Sequence, residues 1–129
     1  MRERPLVLAV DDEAYIRRLL TVNLAADGYD VITAASGEEA LKLLEEHQPD
    51  LVILDIMMPG MDGLELLEHI RERSSVPVLM LTAKGDISCL SRALGGGADD
   101  FMTKPFSPQV LSARVRAKLR RASPPPDED

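Results

Sequence analysis

Residues 51–63 read LVILDIMMPGMDG: four apolar residues, Leu51 to Leu54, run into Asp55, and a proline-glycine turn follows before Asp62 and Gly63. A wholly apolar run of strand length, with β-branched Val52 and Ile53 at its centre, is the texture of a strand covered on both faces. Leu6 to Val10 and Val78 to Leu81 share it, and these three form the centre of a sheet. Val31 to Ala34 and Phe101 to Thr103 complete five strands. Helical spacing fills the intervals. Ala14 to Ala26 carries Ile16, Leu20 and Leu24 on one face; Gly37 to His47 is opened by Ser36 and Glu39 as a capping box. Leu64 to Arg73 turns Leu64, Leu67 and Ile70 inward, and Pro108 to Arg121, capped by Ser107, does the same with Leu111, Val115 and Leu119. The fourth helix, Asp86 to Leu94, is short and runs into Gly95, Gly96 and Gly97, each costing about 1 kcal/mol against alanine inside a helix. Alternation of this kind predicts an α/β fold: a doubly wound, five-stranded parallel sheet flanked by five helices, with its ligand site beyond the carboxyl ends of the strands.

A chain of 129 residues makes one domain, and 45% hydrophobic with 29% charged residues excludes disorder, collagen and coiled coil. A single cysteine, Cys89, and two histidines, His47 and His69, exclude a disulfide framework and a cysteine-rich zinc site, and favour a reducing interior. Arg2 and Arg4 precede an apolar run of only five residues, which fits neither a signal peptide nor a membrane span, so a cytoplasmic protein is expected. The net charge is −7, yet Phe101 to Arg121 contains six basic and no acidic residues. One short basic helix in an acidic protein is a poor phosphate-backbone surface, and no direct nucleic-acid contact is expected. Residues 1–121 are read as the domain, and 122–129, with Pro124 to Pro126 before three acids, as a linker or tail.

The strand ends carry the chemistry. Strand one runs into Asp11, Asp12 and Glu13, strand three into Asp55, strand four into Thr82, and strand five into Lys104 and Pro105. Two like charges 4 Å apart repel by about 1 kcal/mol in water and about 4 kcal/mol near a protein surface, so converging carboxylates need a positive partner. Carboxylate oxygens without nearby histidine or cysteine suit a hard cation such as Mg²⁺. Lys104 supplies a second positive charge for a carboxylate or a phosphoryl group, Thr82 offers a hydroxyl, and the main-chain N–H of Met57 or Ala83 adds a donor. Taken singly, each residue has a plainer role: aspartates cap helices and form turns, threonine caps the next helix, and a lysine before proline is a surface residue. Four strand ends bearing complementary groups, in a fold whose site lies at those ends, favour a pocket for a phosphoryl group on Asp55.

The stretches LVLAVDDE, LVILDIMMPGMDG, PVLMLTAKG and GADDFMTKPFSP, in that order between Leu6 and Arg121, resemble the receiver domain of two-component response regulators. The resemblance implies the flavodoxin-like strand order 2-1-3-4-5. It implies that Asp55 accepts a phosphoryl group from a phosphohistidine of a sensor histidine kinase. Mg²⁺, with Mn²⁺ as the alternative ion, would be held by Asp12, Asp55, the main-chain carbonyl of Met57 and, through water, Asp11, while Lys104 and Thr82 hold phosphoryl oxygens. Such a domain is a phosphoacceptor with its own self-phosphorylation and autodephosphorylation chemistry rather than an enzyme with a separate substrate. Met57 and Lys84 take the places beside the path of attacking water, and Met57 is expected to restrict it. The family also implies a cis Lys104–Pro105 bond, and a switch in which Thr82 moves and Phe101 swings inward behind it; Phe101 lacks a hydroxyl, so packing must select its rotamer.

The segment from Ala98 to Arg121 most resembles the OmpR/PhoB-type subfamily, whose receivers form homodimers through the fourth helix, fifth strand and fifth helix and precede a DNA-binding domain that regulates transcription. By that resemblance Asp100 pairs with Arg114 and Asp99 with Arg121 across a two-fold axis, and Leu90 meets Val110 where the subfamily has an ion pair. A fragment ending in its linker and a single-domain regulator both fit. Three rivals were weighed. A haloacid-dehalogenase-type hydrolase needs an acid at Met57. A flavodoxin-like electron carrier needs a hydroxyl-rich loop where Asp11 and Asp12 stand. A receiver-like binding module that takes no phosphate is disfavoured by the complete set Asp11, Asp12, Asp55, Thr82 and Lys104.

Overall fold

The computed structural model describes residues 3–83 and 87–122, with side chains described at 3–83 and 91–120. Five strands, β1 (Leu6–Val10), β2 (Asp30–Ala34), β3 (Leu51–Asp55), β4 (Val78–Ala83) and β5 (Asp100–Lys104), alternate with α1 (Ala14–Ala26), α2 (Gly37–His47), α3 (Gly63–Arg73), α4 (Ile87–Gly95) and α5 (Pro108–Ala122). Every strand pair is parallel, and the order is β2-β1-β3-β4-β5, as expected. None of the helices among the described residues is long and apolar enough to cross a membrane.

The apolar texture of the central strands has the anticipated cause. Alternate residues feed two separate cores: Leu8, Val10, Val52, Leu54, Val78 and Met80 pack under α2, α3 and α4. Val7, Ala9, Leu51, Ile53, Leu79 and Leu81 pack under α1 and α5. A strand with both faces buried has no position left for a polar side chain until it leaves the sheet, so polarity is concentrated at the strand ends. In helix α3, Leu67 and Ile70 are buried and Leu64 packs partly buried against the same core, as expected, and the buried face also takes in Leu66.

Local signals operate largely as read. The Ser36 hydroxyl accepts from Glu39 N at 3.2 Å, while Glu39 reaches one residue further back than expected, to Ala35 N at 2.8 Å. Val110 N donates to Ser107 Oγ at 3.1 Å. Helix α4 stops at Gly95, and the chain turns through Gly97 at φ 107°, a conformation that side chains resist. Asp86 and residues 123–129 lie outside the described residues; α5 continues to Ala122, one residue into the stretch read as tail.

Gly63 fixes the connection from β3 to α3. A Cβ there would lie 2.2 Å from Asp55 O and 2.6 Å from Ile56 Cα, and Gly63 N donates to Ile56 O at 2.8 Å. The loop from Ile56 to Asp62 can therefore fold back over the end of β3 only if residue 63 has no side chain. Gly63→Ala is expected to cost about 2 kcal/mol or more, lowering Tm by several degrees, whereas Gly95→Ala, with open space around it, leaves Tm unchanged or raises it. Thermal unfolding of the two variants checks this.

Candidate functional site

Sheet register assembles the site. Val10 stands opposite Leu54, so the next residue, Asp11, lies beside Asp55. On the other side Asp55 pairs with Leu81, and Thr82 and Ala83 pair with Thr103 and Lys104. The residues picked from the strand ends thus meet at one edge of the sheet, where β1 and β3 diverge to opposite sides in the winding order.

Asp11 is completely buried and Asp55 nearly so, at 0% and 4% exposure, while Asp12 is exposed. Lys104 Nζ lies 2.9 Å from Asp11 Oδ2, 3.3 Å from Asp55 Oδ2 and 3.8 Å from Glu13 Oε1, so one ammonium serves three carboxylates. The Lys104–Pro105 bond is cis. Asp11 Oδ1 accepts from Glu13 N at 3.0 Å, and Asp55 Oδ1 from Met57 N at 3.3 Å. The Met57 N–H counted as a donor for a phosphoryl group is thus engaged with Asp55 itself. Thr82 is buried, and its hydroxyl donates to Ala83 O at 3.2 Å rather than to Asp55. Met57, two residues beyond Asp55, is 57% exposed.

Burial, followed by the charge of Asp11, pushes the Asp55 carboxyl up to about 6, against the opposing pull of Lys104 and the Met57 N–H. Burial works against the Lys104 ammonium as well, but its contacts with Asp11 and Asp55 outweigh that cost and hold its pKa above that of an ordinary lysine. One lysine does not neutralise the cluster: the acid it faces still ionises with difficulty.

The donor set fits a hard cation. Oxygens of Asp11, Asp12 and Asp55 all lie within 4.8 Å of one another, with no nitrogen or sulfur ligand among them. Asp11 Oδ2 is buried, and its contact is the Lys104 ammonium at 2.9 Å. A carboxylate oxygen has two lone pairs, and the second stays available to a cation or its bound water.

The switch and dimer residues are placed in part. Phe101 packs against the core beneath α2 and α3, and the Arg114 guanidinium sits 5.9 Å above its ring. Within this one chain Arg114 Nη1 already contacts both Asp100 oxygens, at 2.9 and 3.0 Å, and the buried Lys118 approaches Asp100 at 3.7 Å. Asp99 is occupied too: its Oδ2 accepts from Val78 N at 2.8 Å and Arg71 Nη2 at 3.1 Å, tying the start of β4 to β5. These bonds use Asp99 Oδ2 alone, so a pairing of Asp99 with Arg121 in a dimer is neither met nor opposed within one chain. Val110 is 42% exposed. The side chains of Leu90 and Arg121, and Lys84, lie outside the described residues.

Two residues with a bearing on the site escaped the sequence reading. Arg17 donates to Asp11 O at 2.7 Å, and Arg71, besides holding Asp99, donates to Gly97 O at 3.0 Å. Each acts through a main-chain carbonyl or a loop distant in sequence, and neither leaves a spacing signal.

Fold and pocket together define a doubly wound α/β domain with paired acids and a lysine at its topological switch point. The chain belongs to the response regulator receiver domain family, whose model matches residues 7–116. It is 54% identical over 117 residues to the probable transcriptional regulator ycf27 of Guillardia theta, covering 91% of this chain and 46% of that protein. It is 52% identical over 117 residues to the alkaline phosphatase synthesis transcriptional regulatory protein PhoP of Bacillus subtilis (strain 168), covering 90% and 49%. The chain therefore spans about half the length of the curated relatives it matches. Among solved structures, a putative response regulator from Chloroflexus aurantiacus J-10-fl superposes with a TM-score of 0.88 at 41% identity, covering 92% of this chain and all of that one.

A raised carboxyl pKa means that the folded state holds the Asp55 proton more tightly than the unfolded chain does. Its contribution is neutral below pH 4 and becomes a penalty as pH rises through 6, reaching about 3 kcal/mol in the absence of a cation. Asp55→Asn is expected to be more stable than wild type at pH 7.5 without divalent ions, by up to that amount, with the difference vanishing towards pH 4. Paired denaturant titrations across that range provide the check.

Proposed function

We propose that this domain is a phosphoacceptor in two-component signalling: Asp55 takes a phosphoryl group from a phosphohistidine of a sensor histidine kinase in a Mg²⁺-dependent reaction. The observation that carries the reading is the convergence of Asp11, Asp12, Asp55 and Lys104 at the switch point, where oxygens of the three carboxylates lie within 4.8 Å of one another. Asp12, Asp55 and the main-chain carbonyl of Met57 would hold the ion directly, with Asp11 contributing through water, and Mn²⁺ suits the same oxygens. When bound, the cation offsets carboxylate charge and the charge that spreads over the phosphoryl oxygens in a loose transition state. An Asp55 oxygen bonds to phosphorus as the phosphorus–nitrogen bond breaks. Lys104, already 3.3 Å from Asp55, is aimed at the same charge. Thr82 exchanges its bond to Ala83 O for one to a phosphoryl oxygen.

The output is read as a change in α4, β5 and α5. A receiver that dimerises through this face must exchange the Asp100–Arg114 pair within the chain for the same pair between chains, which frees the guanidinium from Phe101. The longer relatives named as transcriptional regulators support a role in transcription regulation for a protein containing this domain. A receiver-like binding module is less favoured, because it gives no reason for a partly buried lysine to sit among three carboxylates.

Intact-mass measurement after incubation with a small-molecule phosphodonor and Mg²⁺ tests the reading. Wild type should gain one phosphoryl group and Asp55→Asn none, and sedimentation of the same sample should show a dimer only after the gain. No gain by folded wild type would reject phosphoacceptance. An exposed apolar side chain at Met57, two residues beyond the acceptor, is expected to restrict attacking water, so Met57→Asn should lose the phosphoryl group several-fold faster; an unchanged decay rate would refute that role.

A further inference from the structure

We infer that Arg17 is a positioning residue for the acidic pocket, holding the peptide from which Asp12 projects and thereby setting the cation affinity of the site. This rests on the reading of the pocket as a cation site. Helix α1 starts without the usual means of fixing its entry: Glu13 is the N-cap and its side chain makes no cap hydrogen bond, and no acid stands in the first turn. Asp11 is anchored by its own groups, N donating to Ala34 O at 3.1 Å and Oδ1 accepting from Glu13 N at 3.0 Å. Asp12, between them, makes no hydrogen bond or ion pair among the described residues, so its direction depends on the backbone alone. Arg17 Nη1 reaches back from the second turn of α1 to the Asp11 carbonyl at 2.7 Å, a short charge-assisted bond. That carbonyl belongs to the Asp11–Asp12 peptide, so holding it fixes the plane in which the Asp12 Cα lies.

The guanidinium is also withheld from the carboxylates it stands near. Among the described residues no carboxylate lies within 4.0 Å of Arg17, whereas Lys104 meets three. An arginine paired directly with Asp12 would compete with a cation for its oxygens; one paired with the carbonyl behind it leaves those oxygens available. Groups that orient metal ligands without touching the metal commonly change affinity by 10- to 100-fold when removed.

Calorimetric titration with MgCl₂, alongside melting without metal, tests the inference on wild type, Arg17→Ala, Arg17→Gln and Asp12→Asn. Arg17→Ala is expected to weaken Mg²⁺ binding about tenfold while the metal-free Tm falls by only a few degrees. Arg17→Gln, two atoms shorter than arginine and without the charge, does not bring a donor to the Asp11 carbonyl and should weaken binding about as the alanine variant does. Arg17→Met, which keeps the apolar stem, replaces the alanine variant if that one does not fold. Wild-type affinity in Arg17→Ala or Arg17→Met, with binding weakened in Asp12→Asn, would overturn the role of Arg17 alone. Tighter binding in Arg17→Gln and Arg17→Ala would overturn positioning in favour of charge, because loss of a nearby positive charge by itself favours a cation. A folded wild type that takes up no Mg²⁺ would overturn the cation reading and this inference with it.

Discussion

Everything at the functional end of this domain follows from the confinement of three carboxylates between the ends of β1 and β3 with one ammonium to oppose them. The sheet leaves no alternative: its central strands are apolar on both faces, so polar residues appear only where the strands end, and parallel register brings those ends together. Asp11 and Asp55 are buried there, and Lys104 reaches both. The residual imbalance is visible in the raised Asp55 carboxyl. A site with surplus negative charge and all-oxygen donors fits a hard cation. In the proposed function that cation and Lys104 together would offset a phosphoryl group, which brings three more acceptor oxygens.

The far side of β5 shows a second balance. Asp100 is held by Arg114 and approached by Lys118, Asp99 is held by Arg71, and the Arg114 guanidinium lies above Phe101. These contacts pair Asp99 and Asp100 within one chain, while Arg114 Nε is buried without a hydrogen bond. Of the pairs proposed for a dimer, Asp100–Arg114 is already present within one chain, so the proposed association would exchange that pair rather than create it.

The fold was legible because it rests on contrasts that one sequence displays. Apolar strands buried on both faces, helical stripes such as Ile16, Leu20 and Leu24, and caps such as Ser36 and Ser107 all leave local patterns, and the strand ends Asp11, Asp55, Thr82 and Lys104 are read directly from them. What escaped is set by tertiary geometry. The buried face of α3 takes in Leu66 besides Leu64, Leu67 and Ile70, and Gly63 is required by a contact of the backbone rather than of any side chain. Arg71 and Arg17 act on carbonyls and loops with no fixed spacing. Asp99 could not be recognised as a fastening between β4 and β5, because its partner there, Val78 N, carries no side-chain signal.

Burial and the neighbouring carboxylate of Asp11 raise the Asp55 carboxyl, and a cation bound among these oxygens would lower it again. Carbon-13 NMR titration of the Asp55 carboxyl, with and without Mg²⁺, measures this directly. A midpoint near 6 without the ion and a clear fall on its addition are expected. An ordinary aspartate midpoint that Mg²⁺ leaves unchanged would contradict this.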